Sequence, residues 1–463
     1  LTQDIEGHHA MRLLIIGGSD AGISAGLRAR QLHPDTEVSL LVADGYPNYS
    51  ICGIPYHIAG DVPDWRDLAH RTQADLEGAG LELRLRTRAT RIDPAAHTVA
   101  VTTPNGNQDT IGYDRLIVAT GARPAVTGIT GLAGPDALGP ADGVHQLHTI
   151  SQMHAVQRAL TTRHPRRALI IGAGYIGLEM AEALTQRGLD VTMLQRGPEV
   201  LSTLDPDLAS LVHDELAHHG VHVQPNTTVR SIQRGEHGPV VISDDPAGTQ
   251  EIRTDLVIAV IGVRPNTRLL TSAGATTGPG AAIAIDDQMR TGLPDIYAAG
   301  DGVITKHRLL GTTWMPLGTT AHKQGRIAGE NAVGGNVTFA GVLGTQVVKV
   351  FDLVAARTGL REAEAHHASI PARSVTETPD DHKAYFPGSH PITVRLTGDP
   401  TGRLLGGQLV GTYGSEIAKR SDVLAAAIFA GLTIPQLSDL DLSYTPPLAA
   451  PWDAIQATAQ HWQ

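Results

Sequence analysis

Apolar and polar positions fall into short blocks at the start of the chain. In MRLLIIGGSDAGISAGLRARQL, an apolar run from Leu13 to Ile16 meets a glycine turn, and an Ala/Leu/Arg helix leads to a second apolar run at Val38 to Val42. A short apolar run ending in glycine, then a helix, then a second run, predicts a βαβ unit. The pattern returns in RRALIIGAGYIGLEMAEALTQRGLDVTMLQR, where a strand from Ala168 to Ile171 runs into Gly172, Gly174 and Gly177, and a second strand spans Val191 to Leu194. From about Gly335 onward the pattern changes to short apolar runs broken by Gly and Pro, as in TQVVKVFDLVAARTGL and ITVRLTGDPTGRLLGGQLVG, before the helix-like KRSDVLAAAIFAGL.

Two such glycine turns in βαβ context predict two Rossmann-like dinucleotide sites. Glycine lets the backbone approach a pyrophosphate, and the free N–H groups and dipole of the following helix favour its negative charge. The second turn carries all three glycines at the fingerprint spacing; in the first, Ser19 takes the middle place, leaving Gly17, Gly18 and Gly22. One turn is expected to hold FAD and the other a nicotinamide nucleotide. Two further stretches fit this reading: YDRLIVATGARP, a strand ending in a small-residue turn, and TGLPDIYAAGDGV, a strand that delivers Asp301 at its carboxyl end. Ligands of open α/β sheets bind at such ends, although spacing alone also allows Asp301 to be a helix-capping aspartate.

Composition narrows the class. At about 150 residues per domain, a chain of 463 residues suggests three domains. With 36 basic against 47 acidic residues, a formal charge of −11 and few aromatics, nucleic acid is not an expected partner. The chain holds one cysteine, so no internal disulfide forms, and it lacks an apolar run of the roughly eighteen residues that a bilayer span requires. A cytoplasmic location without a membrane partner is the expectation. Residues 1–10 lack the basic and apolar regions of a signal peptide, and Met11 begins the first strand. No metal site is expected.

The motifs GGSDAG, GAGYIGLE, ATGARP and IYAAGD stand in the order of the flavin-dependent pyridine nucleotide–disulfide oxidoreductases, which the chain resembles from Met11 onward. The resemblance implies an α/β fold with two Rossmann-like domains and a C-terminal α+β dimerisation domain. Residues 11–125 and 255–334 would form the FAD-binding domain, 126–254 the NAD(P)-binding domain and 335–463 the dimerisation domain. It places Thr120, Gly121, Asp301, Leu317, Thr319 and Thr320 along the FAD. Tyr175 becomes a gate over the nicotinamide, flanked by Ile176, with Glu179 beneath it.

The lone cysteine lies in YSICGIPYH, and its CGIPY setting is similar to the SxxCGLPY signature of coenzyme A disulfide reductases, NADH oxidases and peroxidases. Dithiol members use two nearby cysteines; here Cys52 implies a single-thiol mechanism, with thiolate as the reactive form. Members that reduce peroxide or oxygen carry a histidine in the first glycine turn, where this chain has Asp20, so no imidazole is expected there and coenzyme A disulfide reduction is favoured. HKAYFPG and DLSYTPP resemble family segments whose tyrosines reach the partner subunit's cysteine, which implies a homodimer with Tyr385 and Tyr444 as acids for a departing thiolate. Arg28 and Ser50 are expected on the side of a small-molecule disulfide, Arg28 facing the phosphates of coenzyme A or, as the alternative, solvent. Ile51, and LAAPWD after the proline pair, depart from the family and leave the thiol open, with polysulfide, peroxide or oxygen as other acceptors and a non-enzymatic redox sensor as the contrasting class. At the end of the second strand of the second fold, Gln195 and Arg196 favour NADPH over NADH, because arginine accommodates a 2′-phosphate. In the first fold Asp44 or Val42 occupies the ribose position.

Overall fold

The computed structural model describes residues 10–126 and 128–462, so the expectation for the first nine residues lies outside it. The chain forms two compact units, one built from residues up to 51, 64–123 and 263–342, the other from 52–63, 124–262 and 343 onward.

In the first unit a five-stranded parallel sheet runs in the order Ile296–Ala298, Arg115–Val118, Arg12–Ile16, Glu37–Leu41, Leu81–Arg84. Side chains alternate across it. Leu13, Ile15, Leu40 and Ile117 pack beneath helices Asp20–Leu32 and Gly318–Ala332, while Leu14, Ile16, Leu116 and Val118 face Val99, Val101 and Tyr113. Burial on both faces explains why these strands read as continuous apolar runs. The two helices touch through glycine: a Cβ at Gly325 or Gly329 would lie 2.2 Å from the carbonyl oxygen of Ala21 or Ala25.

The second unit contains another five-stranded parallel sheet, ordered His222–Gln224, Asp190–Leu194, Arg167–Ile171, Leu256–Ala259, Val144–Gln146. Leu256–Ala259 pairs in register with Ala168–Ile171, which moves the expected boundary at 254/255 to the step between Gly262 and Val263. The same unit carries a five-stranded antiparallel sheet, ordered Gln346–Val350, Leu353–Gly359, Leu404–Thr412, Thr393–Gly398, Arg373–Glu377, with helix Ile417–Ala430 against it. Strand Leu404–Thr412 is central and almost wholly buried, whereas Arg373–Glu377 at the edge is mixed. The first unit extends to Val342, beyond the expected limit of 334, and the C-terminal segment from Leu343 belongs to the second unit. The shapes of the units follow from α/β and α+β layering, each sheet burying its apolar faces under helices or a second sheet.

Candidate active site

Both glycine turns close by the same contact. A Cβ at Gly22 would stand 1.9 Å from the Gly17 carbonyl oxygen, and one at Gly177 would stand 2.0 Å from that of Gly172. Gly18 lies against Val42, where a Cβ would come within 2.6 Å. Gly174 differs: nothing stands within 4 Å of where its Cβ would be, so packing does not demand glycine there and the space above it is open to a ligand.

Helix ends carry the same message. Helices Asp20–Leu32, Tyr175–Gln186 and Gly318–Ala332 begin at Ser19, Gly174 and Leu317 without a side-chain cap, as do Pro206–His218 and Ile417–Ala430, whereas Thr72, Thr149, Thr433 and Asp453 cap theirs. Uncapped N–H groups and the helix dipole suit phosphates or polar cofactor edges. At the third of these ends the Thr320 hydroxyl is buried and has no hydrogen-bond partner among the described residues. Thr120 and Gly121 form a rigid turn: Thr120 Oγ1 donates to the Asn266 carbonyl at 2.9 Å, Asn266 Nδ2 donates to the Thr120 carbonyl at 3.0 Å, and Asn266 N–H donates to that of Gly121. Burial, and then the charge of Asp20, pushes the Asp301 carboxyl up to about 6. These features fit an FAD running from the first glycine turn past Asp301 to the helix that starts after Leu317.

Asp44 Oδ1 accepts the N–H of Tyr46 at 2.9 Å, so a ribose would share a carboxylate already engaged in a turn. In the second unit Gln195 turns inward, accepting from Ala173 N–H at 3.3 Å and donating to the Glu199 carbonyl at 3.1 Å. Arg196 is exposed and is therefore the member of the pair directed at solvent.

Cys52 sits in a single turn, Ile51–Gly53, ahead of the short helix Ile54–Ala59, and is exposed. An accessible sulfur is what nucleophilic thiol chemistry requires. The loop before it is braced by aromatic rings, with Tyr49 stacked on Trp65 at 5.3 Å and Tyr46 edge-on to Trp65 at 5.7 Å. The helix after it is anchored within the second unit: Tyr56 donates to Glu179 Oε1 at 3.3 Å, His57 is held by the Val62 carbonyl at 2.7 Å and the Gln157 amide at 3.0 Å, and Arg187 donates to the Ile58 carbonyl at 2.7 Å. The cysteine helix is thereby tied to the nucleotide helix Tyr175–Gln186. Burial pushes the Glu179 carboxyl up to about 7 against the opposing Tyr56 hydrogen bond, with the Glu182 charge adding to it. Burial also raises Tyr56, with Glu179, then Glu182 and then Cys52 contributing. Tyr175 opens the nucleotide helix, its hydroxyl 3.2 Å from Thr203 Oγ1, with Ile176 half-buried beside it.

Tyr385 and Tyr444 come together in the C-terminal region, hydroxyl to hydroxyl, with 71% and 45% of their surfaces exposed. The Arg28 guanidinium pairs with Glu330 at 2.6 Å and bonds Gln31. Ser50 is half-buried and its N–H donates to the Leu68 carbonyl.

Position 20 itself carries no imidazole, but one stands beside it. His322, from the helix starting at Gly318, brings Nε2 to 3.5 Å from Asp20 Oδ1, and His70 adds a second ring. Sequence reasoning also passed over Tyr56, although it lies inside the CGIPY run, and Glu182, one helical turn from Glu179.

The chain matches the family model described as pyridine nucleotide-disulphide oxidoreductase over residues 11–325, and that family's dimerisation domain over 345–455. It is 33% identical to an NAD(P)H sulfur oxidoreductase (CoA-dependent) of Pyrococcus furiosus, with 97% of this chain and 98% of the relative covered. It is 28% identical to a coenzyme A disulfide reductase of Staphylococcus haemolyticus, with 96% and 97% covered. Among solved structures, an NAD-dependent persulfide reductase from A. fulgidus superposes with a TM-score of 0.90 at 35% identity, covering 97% of this chain and 82% of that one. No helix among the described residues is long and apolar enough to cross a membrane. With two glycine turns, a lone exposed cysteine and both family models matched, the chain belongs to the pyridine nucleotide-disulphide oxidoreductase family and is an NAD(P)H-dependent flavoprotein disulfide reductase.

Proposed function

We propose that Cys52 is the redox thiol through which the enzyme reduces a low-molecular-weight disulfide, with coenzyme A disulfide as the favoured substrate and NADPH as the favoured donor. The observation that carries this reading is an exposed sole cysteine directly ahead of a short helix that is tied to the nucleotide helix through Tyr56 and Glu179. FAD, when bound, relays the two electrons of the nicotinamide.

Cys52 thiolate attacks one sulfur of the substrate; the S–S bond breaks, a mixed disulfide forms on Cys52, and the first thiolate departs and takes a proton. Two electrons then cleave the mixed disulfide, releasing the second thiolate, which also takes a proton, and returning Cys52 as thiolate. Tyr385 and Tyr444 are assigned to protonate a departing thiolate, and because the family model over residues 345–455 is a dimerisation domain, they would do so across a homodimer interface. A persulfide or polysulfide follows the same bond changes, and two relatives named for sulfur substrates favour it as the second reading.

Intact-mass spectrometry of the protein as purified tests the assignment. A thiol adduct on Cys52, absent from Cys52→Ser, is the expected result and names the thiol. An unmodified mass together with undiminished disulfide turnover in Cys52→Ser would overturn it.

A further inference from the structure

We propose that Asp20, His70 and His322 form a binding site for one divalent transition-metal ion of the zinc class on the surface of the first unit. This goes beyond the thiol chemistry and does not depend on it. One carboxylate oxygen and one ring nitrogen from each histidine lie within 4.8 Å of one another. Two imidazoles and a carboxylate are a donor set that selects zinc-like ions over magnesium or calcium, which prefer all-oxygen shells.

The neighbours of these ligands are arranged as a metal site requires. Ser24 Oγ lies 2.9 Å from His322 Nδ1 and can accept its proton; in that tautomer Nε2 presents its lone pair toward Asp20, at 3.5 Å. Such an outer partner fixes tautomer and ring orientation in metal sites. The rings of His70 and His322 meet at 6.1 Å and 73°, converging rather than stacking. Asp20 and His322 stand on the two helices locked together through Gly325 and Gly329, so their separation is set by rigid backbone. His70 is placed by its N–H bond to the Asn48 carbonyl at 3.0 Å, and the Leu68 carbonyl two residues earlier is held by Ser50. Tetrahedral zinc ligands lie about 3.3 Å apart, given Zn–N bonds of about 2.0–2.1 Å. The exposed His70 ring has the freedom to close that difference. Exposure of both histidines also gives the ion an entry path and leaves a coordination position for water.

The test uses FAD-loaded protein carrying Cys52→Ser, which removes sulfur as a competing ligand. Zn2+ is titrated by calorimetry against a chelator at pH 7.5, and the zinc X-ray absorption edge is recorded on the same sample. One ion per chain is expected, with two imidazoles in its shell. His322→Asn, His70→Asn and Asp20→Asn should each weaken binding at least tenfold, and deletion of residues 1–10, which contain His8 and His9, should leave it within twofold. Absence of saturable binding, fewer than two imidazoles around the zinc, affinity unmoved by the three substitutions, or loss on the N-terminal deletion would each overturn the site. Flavin absorbance reports whether each variant is folded, and the absorption edge of the protein with Asp20 and both histidines intact decides the matter if a variant is not.

Discussion

The two glycine turns share their outer residues and differ in the middle. Gly22 and Gly177 meet the carbonyls of Gly17 and Gly172 at nearly the same distance, so these positions are set by the crossing of strand and helix in either unit. At the centre, the second turn has an open Gly174 followed by Tyr175, while the first has Ser19 followed by Asp20, which faces His322 and raises Asp301. Each unit also holds one carboxyl that burial pushes up, Asp301 to about 6 and Glu179 to about 7. The outer glycines therefore report the fold and the central residues report the ligand. A motif scored as one string merges two different constraints.

The largest effect is expected at the residue where the chain crosses from one unit to the other. Cys52→Ser should lower disulfide turnover by at least about a thousandfold, equivalent to roughly 4 kcal/mol of barrier, while FAD absorbance is retained. Reduced parent enzyme should show a long-wavelength thiolate-to-flavin band that the variant lacks. Turnover within tenfold of the parent would remove the thiol from the mechanism.

Next come the glycines themselves. Gly177→Ala places a methyl against a backbone oxygen that cannot rotate away, so a loss of about 3 kcal/mol or more is expected, seen as a lower denaturation midpoint. Gly174→Ala meets no protein atom and should keep that midpoint while weakening nucleotide binding about tenfold. Equal losses of stability in the two variants would erase the distinction between outer and central positions.

Arg196 sharpens the contrast at the second strand end. NADPH is expected to exceed NADH in kcat/KM by roughly tenfold or more, from a charge-assisted contact worth about 1.5–3 kcal/mol, and Arg196→Glu should reverse the order. Steady-state kinetics with both nucleotides decides this.

The smallest effect is on pH dependence. Glu179 is protonated more readily folded than unfolded, its carboxyl lying at about 7 rather than 4.5. Its contribution to stability is therefore complete below about 4.5 and is lost as pH rises through about 7. His145 works in the opposite direction. Burial depresses its imidazole from 6.5 to about 4, so stability is complete above 6.5 and falls as pH drops toward 4. Thermal midpoints of Glu179→Gln against the parent should agree near pH 4.5 and separate above pH 7, the variant being the more stable there.

What the sequence determined by itself was local. Strand, glycine turn and helix lie within about twenty residues of one another, and their periodicity and steric demands are written in consecutive positions. The same holds for the CGIPY run and for the change of pattern that marks the C-terminal sheet. Tertiary structure decided what depends on contacts distant in sequence. Tyr56 reaches Glu179, 123 residues away, and only the packing of two helices makes that hydrogen bond. Arg28, one basic residue on an amphipathic helix, is claimed by Glu330, and Leu256–Ala259 joins the second sheet because its register suits Ala168–Ile171. Asp20 read as the loss of a histidine until the helix starting at Gly318 brought His322 beside it. Side-chain partners across a fold are set by close packing of surfaces from separate segments, and no window of consecutive residues contains that information.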